Sequence, residues 1–410
     1  MELSQDGSEM PSPSRAVLYP QAIASSRTAP ARSKAGIALA LFAFGSLVLA
    51  ACASQSTTRA HVTTTLSHVT SSTAGTTSTS PGTTVTTDPT PEASVTISAV
   101  GDTMLGNTPY LPPDPATYFD PVKAELDSGT QIVFGNLEGT LTTATTSKCS
   151  KLSGPSSECF AFKDPPDYAQ YLKDAGFTIL NDANNHSYDY GPAGQAQTVQ
   201  SIHAAGMAQT GLPGEITLVH ANGVPVAFVA FAPYSYDANL LDLPAGASLI
   251  RRARTEARFV VVYMHAGAEG ADADRVTGQE EYYLGEDRGN AEAFAHMAID
   301  AGASLVIASG PHVDRGMQFY KGHLIAYSLG DFGSYGDFST AGDLDMSIIL
   351  HVTLSASGAF ESARIYPIQF VDAGQPVPGG GARAFVAQLS EEDFGDSAAK
   401  LSPAGIITPP

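Results

Sequence analysis

Residues 179–191 read ILNDANNHSYDYG. A short apolar run stops at Asn181, and three amides, one histidine and two aspartates crowd the stretch before Gly191 closes it. Such a cluster gives up burial and helix propensity together, so a task other than folding stability holds these groups in place. A metal ion or a phosphoryl oxygen is the natural object of such side chains.

The same design recurs along the chain. SVTISAV at 94–100 alternates apolar and polar residues like a strand and runs into GDTMLGN with Asp102. QIVFGNLEG at 131–139 ends in Asn136 and Glu138, RFVVVYMHAGAEG at 258–270 in His265 and Glu269, SLVIASGPHVD at 304–314 in His312, and HLIAYSLGDFG at 323–333 in Asp331. Helices are expected over 164–175, 192–205, 246–257 and 290–301, where Pro stands near a start or Gly at a stop. Asn222-Gly223 marks a hairpin, and two last strands are expected at 344–354 and 359–370. Strands alternating with helices imply an α/β fold. Its polar strand ends would meet in one crevice at the carboxyl edge of a sheet, where open α/β folds bind ligands.

The flanks divide the chain. Residues 35–51, AGIALALFAFGSLVLAA, carry no charge, follow Arg27, Arg32 and Lys34, and directly precede Cys52. This is the pattern of an export leader over 1–52, and LAAC at 49–52 resembles a bacterial lipobox with Cys52 as the lipidated residue. A retained anchor is the alternative, since the run is about as long as a minimal membrane span. Residues 53–93 are dominated by Ser and Thr and cannot bury enough surface to offset ordering, which gives a disordered tether. The folded domain is expected over 94–370. A Gly/Pro-rich C-terminal extension follows at 371–410, with one helix in RAFVAQLSEEDF.

The formal charge of the 410-residue chain is −20, with no basic stretch able to follow a phosphate backbone, so nucleic acid is excluded as a partner. Of the three cysteines, Cys149 and Cys159 lie in a polar loop. Outside the cytoplasm they are expected to pair, a closure worth about 2–3 kcal/mol in the entropic model. Two thiolate metal ligands are the alternative, but further cysteines to complete such a site are missing.

Asp102, Asn136, Glu138, Asn185, His186, His265, Glu269 and His312 form the candidate constellation. Carboxylates, amide oxygens and imidazoles together suit Mn, Fe or Zn better than Ca or Mg, which favour oxygen alone. One or two such ions would neutralise a phosphoryl group during in-line displacement, with His186 as general acid to the leaving oxygen. Each residue also has a bland reading: Asp102 could shape a turn and His186 could cap a helix. Jointly those readings require independent accidents at five strand ends. GLPGE and GGGAR do not lie between a strand and a helix as a phosphate loop must, and no Gly-x-Ser-x-Gly elbow is present.

The ordered set VGDTMLG, GNLEGTL, NDANNHSYDYG, YMHAGAE, GASLVIASGPHV and IAYSLGDF resembles the bacterial capsule synthesis protein CapA family, the poly-γ-glutamate synthesis proteins, a branch of the calcineurin-like metallophosphatases. The resemblance spans about residues 94–370. It implies a four-layer αββα sandwich in an extracytoplasmic, membrane-anchored protein that makes, exports or anchors a surface polymer. It implies Asp102, Asn136, Glu138, Asn185, His265 and His312 as metal ligands and His186 as the phosphate-facing imidazole. Met104 replaces the histidine of other metallophosphatases, and Gly310-Pro311-His312 stands where the family has His-Pro-His. Asp331 replaces the asparagine of Ser-Leu-Gly-Asn-Phe and, like Glu269, is a further candidate ligand. Two other functions fit the same residues: an extracytoplasmic metal-dependent phosphoesterase, or a non-catalytic polymer-binding protein with a degenerate site.

Overall fold

The structure is a computed structural model and describes residues 93–151 and 159–410. The expected leader with Cys52, and the tether up to residue 92, lie outside the described residues. The described residues fall within one unit, Thr83–Pro410. No helix among them is long and apolar enough to cross a membrane.

The chain builds a first sheet, leaves it for a second, and returns. It enters through β1 (Val95–Thr103), α1 (Lys123–Asp127) and β2 (Ile132–Leu137). Two short strands, β3 (Thr140–Leu141) and β4 (Lys163–Asp164), pair with each other before α2 (Tyr168–Ala175) and β5 (Ile179–Asn181). Then come α3 (Gly191–Ala204) and β6 (Ala208–Thr210). The hairpin β7 (Thr217–Ala221) and β8 (Val224–Phe231) opens the second sheet, turning at Asn222 with φ 50°. It continues with α4 (Leu243–Glu256), β9 (Phe259–His265) and the small hairpin β10 (Glu281–Tyr283) and β11 (Glu286–Gly289). Next are α5 (Ala291–Ala301), β12 (Leu305–Ser309), β13 (Met317–Tyr320) and β14 (His323–Ala326). The return to the first sheet runs through β15 (Asp331–Gly333), β16 (Met346–Leu354), β17 (Phe360–Val371) and β18 (Gln375–Pro378). It ends with α6 (Ala382–Phe394), β19 (Lys400–Leu401) and β20 (Ile406–Thr408).

Side-chain alternation on these strands produces four layers. In β8, Val226, Phe228 and Ala230 face one core and Ala227, Val229 and Phe231 another; β9 and β12 divide in the same way. The first of these cores is shared with Val95, Ile97, Ala99, Ile132, Phe134 and Ile179 of the other sheet, so it lies between the sheets. The outer face of the second sheet is covered by Leu249, Ile250 and Ala253 of α4 and Phe294, Ala295 and Ala298 of α5. The outer face of the first sheet, with Val100, Val133 and Leu180, is covered by Leu126 of α1, Leu172 of α2 and Ile202 of α3. The result is the αββα sandwich that the resemblance implied.

In the first sheet β1, β2, β5 and β6 are parallel neighbours, and in the second β8, β9, β12 and β14 are. Register then aligns the polar ends. Asp331 pairs with Asp102, Asp102 with Asn136, and Asn136 with Asn181 across the first sheet, while His265 pairs with Ser309 across the second. Gly101 allows the close approach of the Gly330 loop, because a Cβ there would fall 1.9 Å from the Gly330 carbonyl oxygen.

Two differences from expectation bear on the site and the body of the fold. Helix α2 begins at Tyr168 rather than near 164, since Asp164 is paired in β4 and Pro165-Pro166 form the turn that precedes the helix. Residues 371–410, read as an extension, contribute to the body of the fold. Strands β18 and β20 pair with β17, and α6 places Ala382 and Val386 against the core between the sheets.

Candidate metal centre

The first sheet brings three buried side chains to its carboxyl edge. Asn136 donates through Nδ2 to Asp102 Oδ1 (2.7 Å) and to Glu138 Oε2 (2.6 Å), tying the two carboxylates into one group. Its own oxygen accepts from Asn181 Nδ2 (2.6 Å) and Asn184 Nδ2 (3.0 Å). Asn136, expected as a ligand, thus turns its oxygen away from the carboxylates and orients them instead. Burial, then the neighbouring Asp102, pushes the Glu138 carboxyl well above its ordinary range.

The second sheet presents His265, which is 1% exposed. Its Nδ1 lies 3.2 Å from Tyr263 Oη, Tyr263 Oη lies 2.6 Å from Ser309 Oγ, and Ser309 donates to Asp102 Oδ1. The direction of this chain follows from proton counting. Ser309 spends its single proton on the carboxylate, so it accepts from Tyr263, and Tyr263, its proton spent, accepts from His265 Nδ1–H. The imidazole is therefore held with a bare lone pair on Nε2. That is how a second partner fixes the tautomer of a metal-ligating histidine. Burial holds the His265 pKa down at about 3, which keeps the ring neutral.

His312 adopts φ 62° and places Nδ1 2.8 Å from Asp331 Oδ1 and 3.2 Å from Asp102 Oδ2. Burial alone would lower its pKa, but Asp331 and Asp102 outweigh burial and raise it well above the ordinary value. Burial likewise outweighs His312 at Asp331 and lifts that carboxyl to about 7. At Asp102 the balance reverses: burial favours the neutral form, yet His312 leads the groups that hold the carboxyl below its usual range. Glu269 lies at the rim, Oε2 3.8 Å from His312 Nε2 and Oε1 3.5 Å from Asn185 Nδ2.

Two sets of ligand atoms each lie within 4.8 Å of one another: Asp102, Glu138 and His265, and Asp102, His312 and Asp331. Asp102 is common to both. Asp102 Oδ2, Glu138 Oε1, Asn185 Oδ1, His265 Nε2 and Asp331 Oδ2 are buried without a hydrogen-bond partner. Buried polar atoms are normally satisfied, and orphans gathered at one spot call for a further binding group. The donor set and its orphaned lone pairs fit a divalent cation.

His186 stands beside this group with Nε2 4.0 Å from Glu138 Oε1. Its Nδ1 lies 2.8 Å from Asp189 Oδ2, and Phe162 packs on the ring at 4.3 Å between centroids. Burial lowers the His186 pKa against the opposing pull of Asp189. Asp189 also accepts from the Phe162 amide (2.6 Å) and pairs with Lys148 Nζ (2.7 Å). Cys149 and Cys159 form a disulfide, and Lys148 and Phe162, which meet at Asp189, flank the loop that it closes.

Asp102, Glu138, His265, His312 and Asp331 are thus gathered, His186 adjoins them, and Asn185 and Glu269 sit at the rim. Sequence reasoning missed Ser309, Tyr263, Asn181, Asn184 and Asp189. Asn181, Asn184 and Asp189 stood in the opening motif, and Ser309 directly ends a strand, which was a usable signal. Gly310, where a family histidine was missing, has φ 119°, and a Cβ there would lie 3.2 Å from His265 Nε2.

Residues 96–335 match the family described as bacterial capsule synthesis protein PGA_cap. The chain is 29% identical over 224 residues to the PGA biosynthesis protein CapA of Bacillus subtilis (strain 168), covering 50% of this chain and 54% of that protein. It is 32% identical over 183 residues to the capsule biosynthesis protein CapA of Bacillus anthracis, covering 39% and 41%. It spans about half the length of these relatives. Among solved structures, a putative 5'-nucleotidase from Staphylococcus aureus superimposes with a TM-score of 0.39 at 10% identity, covering 73% of this chain and 58% of that one.

Proposed function

The chain belongs to the bacterial capsule synthesis protein PGA_cap family, and from that premise we propose that it takes part in synthesis, export or anchoring of poly-γ-glutamate or a capsule polymer through a divalent-metal site. In this reading it is exported and anchored to the membrane on its extracytoplasmic side, by lipid on Cys52 or by a retained N-terminal anchor. The observation that carries the proposal is the pair of ligand groups that share Asp102, one with Glu138 and His265 and the other with His312 and Asp331, in which Asp102 Oδ2, Glu138 Oε1, His265 Nε2 and Asp331 Oδ2 are buried without a hydrogen-bond partner.

Asp102, Glu138 and His265 would hold one ion, and Asp102, His312 and Asp331 a second, with Mn, Fe or Zn the metals that such donors favour. A bound ion would supply Lewis-acid polarisation of a phosphoryl or carboxyl oxygen. The chain's own groups do the rest. Asn136 keeps the Asp102 and Glu138 carboxylates turned together. Asp189 fixes the His186 ring so that Nε2 can hold or release a proton at a leaving oxygen. Phe162 excludes water from one face of that ring.

The His186–Asp189 pair favours a second reading, an extracytoplasmic metal-dependent phosphoesterase, because a purely structural ion has no use for an oriented imidazole. Elemental analysis of the purified chain with hydrolysis of a chromogenic phosphoester tests both. At least one divalent ion per chain, lost in Asp102→Ala, is expected for either reading. Metal-dependent hydrolysis abolished by His186→Ala selects the esterase. A metal-free wild-type protein whose His265→Ala variant performs alike in polymer assays would end the first reading.

A further inference from the structure

Beside the ligating atoms stands a buried cation that the chemistry above does not use. Arg288 in β11 is 3% exposed, and its Nη2 lies 2.8 Å from Glu269 Oε1 and 3.3 Å from Glu286 Oε2. Glu269 in turn reaches toward His312 and Asn185, so the Glu269–Arg288 pair borders the metal centre. Arg288 Nε and Nη1 make no hydrogen bond. The guanidinium lies over Tyr283 (5.5 Å) and Tyr234 (5.9 Å). Tyr234 heads a stack of near-parallel rings, with Tyr236 at 5.3 Å and then Tyr188 at 4.7 Å.

These surroundings hold the guanidinium still. Its backbone carbonyl accepts from Gly267 N–H (3.1 Å), and the hairpin that carries it is pinned by Arg315, whose two terminal nitrogens grip Glu281 at 2.9 and 2.7 Å. Glu269 is freer, with a side chain 14% exposed. Asp102, Glu138, Glu269 and Asp331 already crowd the centre with carboxylates, so an anionic ligand added to them meets repulsion. A ligand oxyanion that takes the place of Glu269 on Arg288 exchanges one negative charge for another and avoids that cost.

We propose that Arg288 is the oxyanion-receiving residue of this site, kept occupied by Glu269 until a carboxylate or phosphoryl group of the ligand displaces it. The planar guanidinium fork suits either oxyanion, and Asn185 Nδ2 supplies a neighbouring donor once Glu269 swings away. The inference rests on the reading that the centre serves an anionic polymer or phosphoester, and it names the residue that recognises the anion.

Calorimetric titration of metal-free and Mn(II)-saturated protein with inorganic phosphate, and separately with a short γ-linked glutamate oligomer, tests it. Wild type is expected to bind at least one probe, and which one binds separates a phosphoryl ligand from a carboxylate ligand. Arg288→Gln should weaken that binding about tenfold or more while the number of Mn(II) ions taken up per chain stays the same. Glu269→Gln should strengthen it, a gain that misfolding cannot imitate. Wild type that binds neither probe, Arg288→Gln that binds like wild type, or Glu269→Gln without a gain overturns the proposal. Failure of wild type to take up Mn(II) removes the metal reading instead, and the metal-free titrations still decide the role of Arg288.

Discussion

His265 Nε2 lies 3.7 Å from Glu138 Oε1 across the junction of the two sheets, and neither atom has a hydrogen-bond partner. With His265 neutral, the pair is no salt bridge. Two buried polar atoms face each other without a hydrogen bond to either, an arrangement that costs free energy until a cation stands between them.

Tyr263→Phe leaves every ligand atom in place but breaks the chain from His265 Nδ1 to Ser309. Affinity for a divalent ion should fall about tenfold to a hundredfold, as when other outer partners of metal-ligating histidines are removed. Competitive titration against a metal-sensitive dye measures this, and an unchanged affinity would show that the imidazole needs no such anchor.

Metal uptake should release protons. Asp331, lifted to about 7, and His312, raised well above its ordinary value, both carry protons at mildly acid pH and must lose them to coordinate. His265, at about 3, is already bare and contributes none. Apparent affinity therefore rises as pH increases through 7, and calorimetry at pH 6 in buffers of different ionisation enthalpy should register net proton release.

In the metal-free protein two groups act on stability in opposite senses. The depressed His265 pKa contributes stability above about 6.5, which is lost as pH falls toward 3. The raised Asp331 pKa contributes stability below 3.8, which is lost as pH rises through 7. His265→Gln should flatten the acid limb of denaturant midpoint against pH, and Asp331→Asn should flatten the decline on the neutral side.

Restoring the family histidine with Gly310→His should not improve metal binding. The backbone there has φ 119°, and the new Cβ would press on the lone pair of His265 Nε2. Destabilisation of about 1–3 kcal/mol is expected from the backbone strain, with no gain in ions per chain by elemental analysis. A gain in occupancy at unchanged stability would refute this.

Reducing the Cys149–Cys159 disulfide frees the loop flanked by Lys148 and Phe162, which meet at Asp189. Thermal unfolding should show a loss of about 2–3 kcal/mol. Lys148→Met alone should cost less and leave the bond intact. If reduction leaves the melting temperature unchanged, the loop is not a stabilising closure.

The α/β alternation, the strand ends and most of the side chains that gather at the candidate centre were legible along the chain, because a strand's period of two and its terminal polar residues are local properties, whereas the four-layer αββα arrangement came from the family resemblance. Asp102, Glu138, His265, His312 and Asp331 each follow an apolar run, and that pattern survives without knowledge of any neighbour. The orientation of Asn136, the relay through Tyr263 and Ser309, and the occupancy of Arg288 were not legible. They depend on which atom faces which across sheets joined by residues as far apart in sequence as Asp102 and Ser309. The strands of the C-terminal segment escaped for the same reason, since pairing of β18 and β20 with β17 is set by a partner strand and not by their own short sequences. Periodicity assigns a side chain to a face; long-range packing alone chooses the atom that meets it there.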